Sequence, residues 1–170
     1  MRIILWVGCG MLVLATVVDA QRRVAPGASS QPTTVPVTIA LKAGADTFQF
    51  TGQASCTHAP TASIYGLLSE QWNVEQSEGS RSLHLTLWKP KNGAGDMFNL
   101  SISSGGARPQ SVNTVKAPGA PAPAGSGHVT LTPAGNGGTF TVDAKTAAGG
   151  AITGTIKCDA FSPAIAEGGD

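Results

Sequence analysis

This chain of 170 residues is poor in charge, and its basic residues never occur in runs longer than two. Charged residues make up 12% of the sequence, and the formal net charge is +1. Proteins that bind nucleic acid use a basic stripe to neutralise phosphates. The charge pattern therefore predicts no nucleic-acid partner.

Aromatic residues are also scarce, at 5% with a single tyrosine, which argues against the aromatic-lined cleft of a glycosidase despite scattered carboxylates. The sequence lacks a G-x-S-x-G elbow, an H-E-x-x-H pair, an S-x-x-K motif and a P-loop. Three isolated histidines, His58, His84 and His128, have no second ligand at metal-binding spacing. We therefore expect no enzyme activity, no metal and no cofactor.

Long apolar runs are absent except at the start, where residues 3–18 follow Met1 and Arg2 and end in Val18-Asp19-Ala20. A basic start, an apolar middle and a small-residue exit are typical of a secretory signal peptide. Two alternatives are an uncleaved anchor and lipidation at Cys9. The run is shorter than the roughly 20 residues of a membrane span. We expect an extracytoplasmic protein, secreted or periplasmic, with no membrane span after cleavage.

Composition divides the chain into a signal peptide (1–20), a flexible leader (21–36), one β domain (37–161) and a flexible tail (162–170). Apolar residues in the domain alternate with polar ones, which is the period of strands. Eight to ten short strands joined by tight turns predict a small antiparallel β-sandwich, either immunoglobulin-like or barrel-like. Only residues 61–70 leave helix and strand open.

Two cysteines remain after removal of the signal, Cys56 and Cys158, each on the apolar face at the end of a predicted strand. In an oxidising compartment they are expected to form a disulfide that closes a loop of about 100 residues. The order Cys56, Trp72, Cys158 resembles that of immunoglobulin domains. Ile156, however, stands where that family places its corner tyrosine, and no function is transferred from this resemblance.

One stretch suggests a binding surface. Leu83, Leu85 and Leu87 share one face of a strand, which leaves His84, Thr86 and Trp88 on the other. An outward tryptophan is a possible stacking platform for a sugar ring or a partner's side chain, and the alternative is that another segment covers it.

The sequence as a whole predicts a non-enzymatic binding or accessory module with an unidentified protein or glycan partner. The alternatives are a structural or surface-assembly protein that acts through exposed strand edges, a carbohydrate-binding appendage and a small hydrolase.

The signal assignment makes a direct prediction. Because Val18 and Ala20 are small residues that signal peptidase accepts, the exported protein is expected to begin at or near Gln21. Intact-mass measurement of the exported form tests this. A product that retains Met1, or that carries lipid on Cys9, would contradict it.

Overall fold

The computed structural model describes residues 33–105 and 108–164, which contain ten β-strands and no helix. The predicted signal peptide and residues 21–32 of the leader lie outside the described residues. Nothing in the described part is a helix of the length and hydropathy needed to cross a membrane. The strands are β1 (Thr34–Ala43), β2 (Asp46–Ile64), β3 (Leu67–Glu78), β4 (Arg81–Pro90), β5 (Met97–Ser104), β6 (Gln110–Asn113), β7 (Ser126–Ala134), β8 (Gly137–Lys145), β9 (Ala151–Cys158) and β10 (Ser162–Pro163).

All ten strands belong to one sheet in the order β6-β5-β4-β3-β2-β1-β9-β8-β7, with β10 added beside β2. Neighbours along this order are antiparallel, and β10 runs parallel to β2. Asn113, which ends β6, forms an antiparallel bridge with Ala124, just before β7. The sheet is thereby nearly closed into a barrel. The predicted all-β fold is confirmed in its barrel-like form.

Alternation of side chains builds the core inside this barrel. In β1 every second residue from Val35 to Ala43 is buried, while the residues between them face solvent. The inward faces of the other long strands contribute to the same cluster, which includes the fully buried Leu85, Phe140 and Ile156. Burial of each such side chain stabilises the fold by about 1.5–3 kcal/mol, so the strand period also fixes the register.

Two glycines that precede the cysteines at the same spacing serve different purposes. Gly154 has a φ of 137° in β9, and a Cβ there would collide with the carbonyl oxygen of Ala40 in β1. Gly52 in β2 makes room for the ring of Phe50, whose Cζ would lie 2.8 Å from an added Cβ. Gly154 permits close approach of two backbones, whereas Gly52 permits an aromatic ring to lie along its own strand.

The structure decides one open choice and changes two of the predicted segment boundaries. Residues 61–70 are the end of β2, a turn at Tyr65 and Gly66, and the start of β3, which settles the open choice in favour of strand. β1 begins at Thr34, inside the predicted leader, because its pairing with β2 extends to Ser55. The predicted tail begins as β10, which pairs with β2. Proline-containing segments are thus incorporated at the start of β1 and in β10.

The predicted disulfide is present: Cys56 and Cys158 are bonded, with their Cα atoms 6.3 Å apart. Cys56 lies in β2 and Cys158 ends β9, so the bridge joins the two strands that flank β1. An immunoglobulin disulfide links two facing sheets, and this one ties together parts of a single sheet. Disulfides of this kind are typical of proteins in oxidising compartments.

Removal of the bridge is expected to destabilise the fold without changing it. The double variant Cys56→Ser/Cys158→Ser of the exported protein should lose about 2–4 kcal/mol in free energy of unfolding, because its unfolded chain is less restricted. Denaturant unfolding followed by fluorescence measures this loss, and reduced wild type is the matched control. Two thiols that alkylate readily in the native, unreduced protein would contradict the bridge.

Candidate functional site

The structure brings two of the predicted surface residues together on the outer face of β4. Thr86 Oγ1 lies 3.1 Å from His84 Nε2, and His84 Nδ1 lies 3.4 Å from Glu75 Oε1. Glu75 comes from β3, where the antiparallel register sets it opposite His84. A hydroxyl, an imidazole and a carboxylate in this order are the arrangement that activates a nucleophile in many hydrolases.

Two features of Thr86 argue against that chemistry. Its side chain is buried, with only 5% of the residue exposed, so a substrate would not reach the hydroxyl. It also lies in a strand that is paired on both sides, opposite Asn73 and Asn99, and its backbone belongs to the sheet. Backbone N–H groups often form the oxyanion hole of a hydrolase, and those of a strand paired on both sides are engaged in the sheet. We interpret these three groups as a polar network of the sheet surface.

Trp88 lies on the same outer face and is half-buried. It packs against a second apolar cluster formed by Ile64, Met97 and Val115, with Ala117 and Ala120 of the long loop against it. Its Nε1 donates a hydrogen bond to Gln71 Oε1 at 3.0 Å. Trp88 as a stacking platform stays a prediction, and the contacts give the ring a packing role.

This packing role makes a prediction that separates the two readings of the residue. Trp88→Ala is expected to cost about 2–4 kcal/mol in free energy of unfolding, since it opens a cavity between the sheet and the loop. Trp88→Phe is the control, expected to lose about 1 kcal/mol because only the Nε1 hydrogen bond and part of the ring are removed. A cost below about 1 kcal/mol for the alanine variant would instead fit a free surface side chain.

A different group of side chains meets on the inner face, where the core ends at one mouth of the barrel. His58 and Trp72 stack with ring centroids 4.5 Å apart and planes within 8°. Lys89 Nζ lies 5.4 Å from the centre of the Trp72 ring. His58 belongs to β2 and Lys89 to β4, the two strands on either side of β3, so the indole stands between an imidazole and an ammonium group.

The Nε2 atom of His58 is the polar centre of this mouth. It is buried and forms no hydrogen bond with the residues that the structure describes, and it faces the carboxylate of Glu70, whose Oε2 lies 3.7 Å away. Buried polar atoms in proteins almost always have a partner, either another protein group, a water molecule or a ligand. Since Nε2 is enclosed and faces Glu70, His58 contributes its stacked ring to the mouth, and a ligand would reach this atom only after a neighbouring group moved.

A pocket of about 460 Å³ opens beside His58 and Trp72. One wall is the turn between β7 and β8, and another is the segment of residues 159–164 that follows the disulfide, which we call the C-terminal strap. The lining residues are His58, Trp72, Leu131, Pro133, Gly135, Asn136, Gly137, Ala160 and Phe161. The volume lies within the range of small-molecule sites in proteins.

Backbone hydrogen bonds hold the C-terminal strap in place. Phe161 N–H donates to the carbonyl of Asn136, and Ala164 N–H donates to the carbonyl of His58, at 2.8 and 3.0 Å. The ring of Phe161 meets Phe140 edge-on at 5.8 Å. The strap thus connects the stacked histidine with the β7–β8 turn and fixes the width of the pocket.

None of the predicted site residues, Trp88, His84, Thr86, Cys56 and Cys158, lines this pocket. The sequence did contain a signal for His58. The alternation of Ala54, Cys56 and His58 continues the inward face of β2 as far as the histidine. The register then sets His58 opposite Trp72. The strap was not foreseeable in this way, since its residues show no strand period.

Comparisons with known proteins add no assignment: no protein-family model, no curated protein and no solved structure matches this chain. Within residues 33–105 and 108–164, no group of three or more histidine, cysteine or carboxylate side chains is arranged to hold a metal ion. The mouth pocket is therefore interpreted from its own chemistry.

Proposed function

We propose that this protein is an exported binding module whose ligand occupies the mouth pocket beside His58 and Trp72. The observation that carries the proposal is a pocket of about 460 Å³ whose lining combines the stacked rings of His58 and Trp72 with apolar walls. Pockets of this size and lining are typical of small-molecule sites. Two features support export: the signal-like start of the chain and the Cys56–Cys158 disulfide.

The lining indicates the class of ligand. Leu131, Pro133 and Phe161 give the pocket apolar walls, while Lys89 and His58 flank the indole of Trp72. A small organic molecule with a flat apolar body fits these walls, and an anionic group on it would be attracted by Lys89, which lies next to the lining residue Trp72. A sugar ring fits less well, because stacking needs an open aromatic face and the two neighbours of Trp72 occupy its faces.

Binding is favoured over catalysis for a physical reason. The mouth holds an imidazole and a carboxylate, yet neither has a hydroxyl or thiol within hydrogen-bond distance among the described residues. In the group formed by Thr86 and His84 of β4 and Glu75 of β3, the threonine that carries the hydroxyl is buried. Recognition of a ligand needs only the lining that the pocket already has.

The experiment uses the two tryptophans of the exported chain. In Trp88→Phe the reporter is Trp72 in the mouth, and in Trp72→Phe it is Trp88 outside it. Benzoate is the probe, because it combines a flat ring with a carboxylate. Saturable quenching is expected in Trp88→Phe and absent in Trp72→Phe.

His58→Ala in the Trp88→Phe background should weaken benzoate binding by about tenfold, because it removes a ring that lines the pocket and holds the indole in place. The control is His128→Ala, since His128 is exposed on β7 and does not line the pocket. Equal quenching in both tryptophan variants, or none in either with a panel of small aromatic anions, would contradict the proposal. Quenching of Trp72 by a disaccharide alone would favour the carbohydrate alternative.

A further inference from the structure

We propose that the turn joining β2 to β3 is a lipid-contacting tip that docks this protein on an anionic membrane surface. The tip comprises residues 65–68, with Lys91 of the neighbouring loop beside it. This inference goes beyond the proposed function, since it concerns the outside of the hairpin and not the mouth pocket. Its first support is backbone strain at the tip.

Tyr65 is the one non-glycine residue with a positive φ in the described part of the chain, at 49°, and Gly66 follows at 81°. Positive φ at both central positions defines a type I′ turn, for which Asn-Gly is strongly preferred. A tyrosine in the left-handed region is disfavoured relative to asparagine or glycine. Asparagine or glycine at position 65 would make the turn more stable, so the strained tyrosine indicates a role other than stability at this position.

The second support is exposure. Tyr65 is 52% exposed and Leu68 is 56% exposed, and among the described residues these are the two large hydrophobic side chains open to solvent. Both lie at the end of the β2–β3 hairpin: Tyr65 is in the turn, and Leu68 is the second residue of β3. Exposed apolar side chains that are grouped at one end of a hairpin indicate an interaction surface, whereas single scattered ones do not.

Charge beside the tip selects the partner. Lys91 N–H donates to the carbonyl of Leu68 at 2.9 Å, which keeps this lysine next to the exposed leucine. Lys91 is exposed, and no carboxylate of the described residues forms an ion pair with it. Tyr65 lies in the turn, with Leu68 and Lys91 just behind it. An aromatic and an aliphatic side chain that enter the headgroup region, with a lysine beside them, suit an anionic lipid surface.

The size of the tip favours a lipid over a protein partner. The exposed parts of Tyr65 and Leu68 amount to an area on the order of 200 Å². A stable protein interface needs about 800 Å² from each partner. Insertion into the headgroup region requires only that a few apolar side chains leave water, which Tyr65 and Leu68 can do at the end of this hairpin.

The experiment measures co-sedimentation of the exported protein with vesicles of phosphatidylcholine that contain or lack phosphatidylglycerol. We expect binding to the anionic vesicles. The double variant Tyr65→Asn/Leu68→Ser should lose about tenfold or more in partition coefficient, because half of each apolar side chain no longer enters lipid. Lys91→Gln should reduce binding to anionic vesicles only.

The single variants provide the controls. Tyr65→Phe keeps the ring and should keep most of the binding. Tyr65→Asn should keep or raise the melting temperature while binding falls, which separates loss of the lipid contact from loss of the fold. The proposal is overturned if wild type does not bind either vesicle, or if Tyr65→Asn/Leu68→Ser binds as wild type does. Concentration-dependent dimerisation that this double variant abolishes, with no vesicle binding, would overturn it in favour of a second copy of the chain.

Discussion

The pairing of β1 with both β2 and β9 is the constraint on which the rest of this structure depends. β1 begins the described sheet and β9 is its last long strand, so contacts between distant parts of the chain complete the curved sheet. Such pairing requires the backbones to approach closely at Gly154, where any side chain would meet the carbonyl oxygen of Ala40. The Cys56–Cys158 bridge then ties the two flanking strands together covalently.

The mouth pocket follows from this frame. β2 runs for 19 residues, and its first part pairs with β1 while its later part pairs with β3 and, at Thr57 and His58, with β10. Cys56 and His58 therefore lie just past the point where β1 begins, with the disulfide fixing the first and the C-terminal strap bonding the second. A register shift between Ala59 and Ala62 separates this inner site from the hairpin tip. One long strand thus carries the bridge, the pocket and the exposed turn.

Much of the fold could be predicted because alternation is a local signal: the inward faces of β1, β4 and β8 can be identified from apolar residues two apart. The disulfide could be predicted because both cysteines continue such faces. The strap could not, since Phe161 is held by contacts distant in sequence, with the carbonyl of Asn136 and the ring of Phe140. The partial burial of Trp88 has the same origin, because alternation shows which way the residue points but not that it packs against the cluster of Ile64, Met97 and Val115.

The nearly closed sheet holds the rings of His58 and Trp72 stacked at its mouth. A proton NMR spectrum of the exported, oxidised protein tests it most directly, because a ring parallel to an indole at 4.5 Å experiences a strong ring current. We expect the His58 ring protons to have upfield chemical shifts in the native protein and ordinary chemical shifts in Trp72→Leu. Unshifted His58 ring protons in the native, disulfide-bonded protein would contradict it.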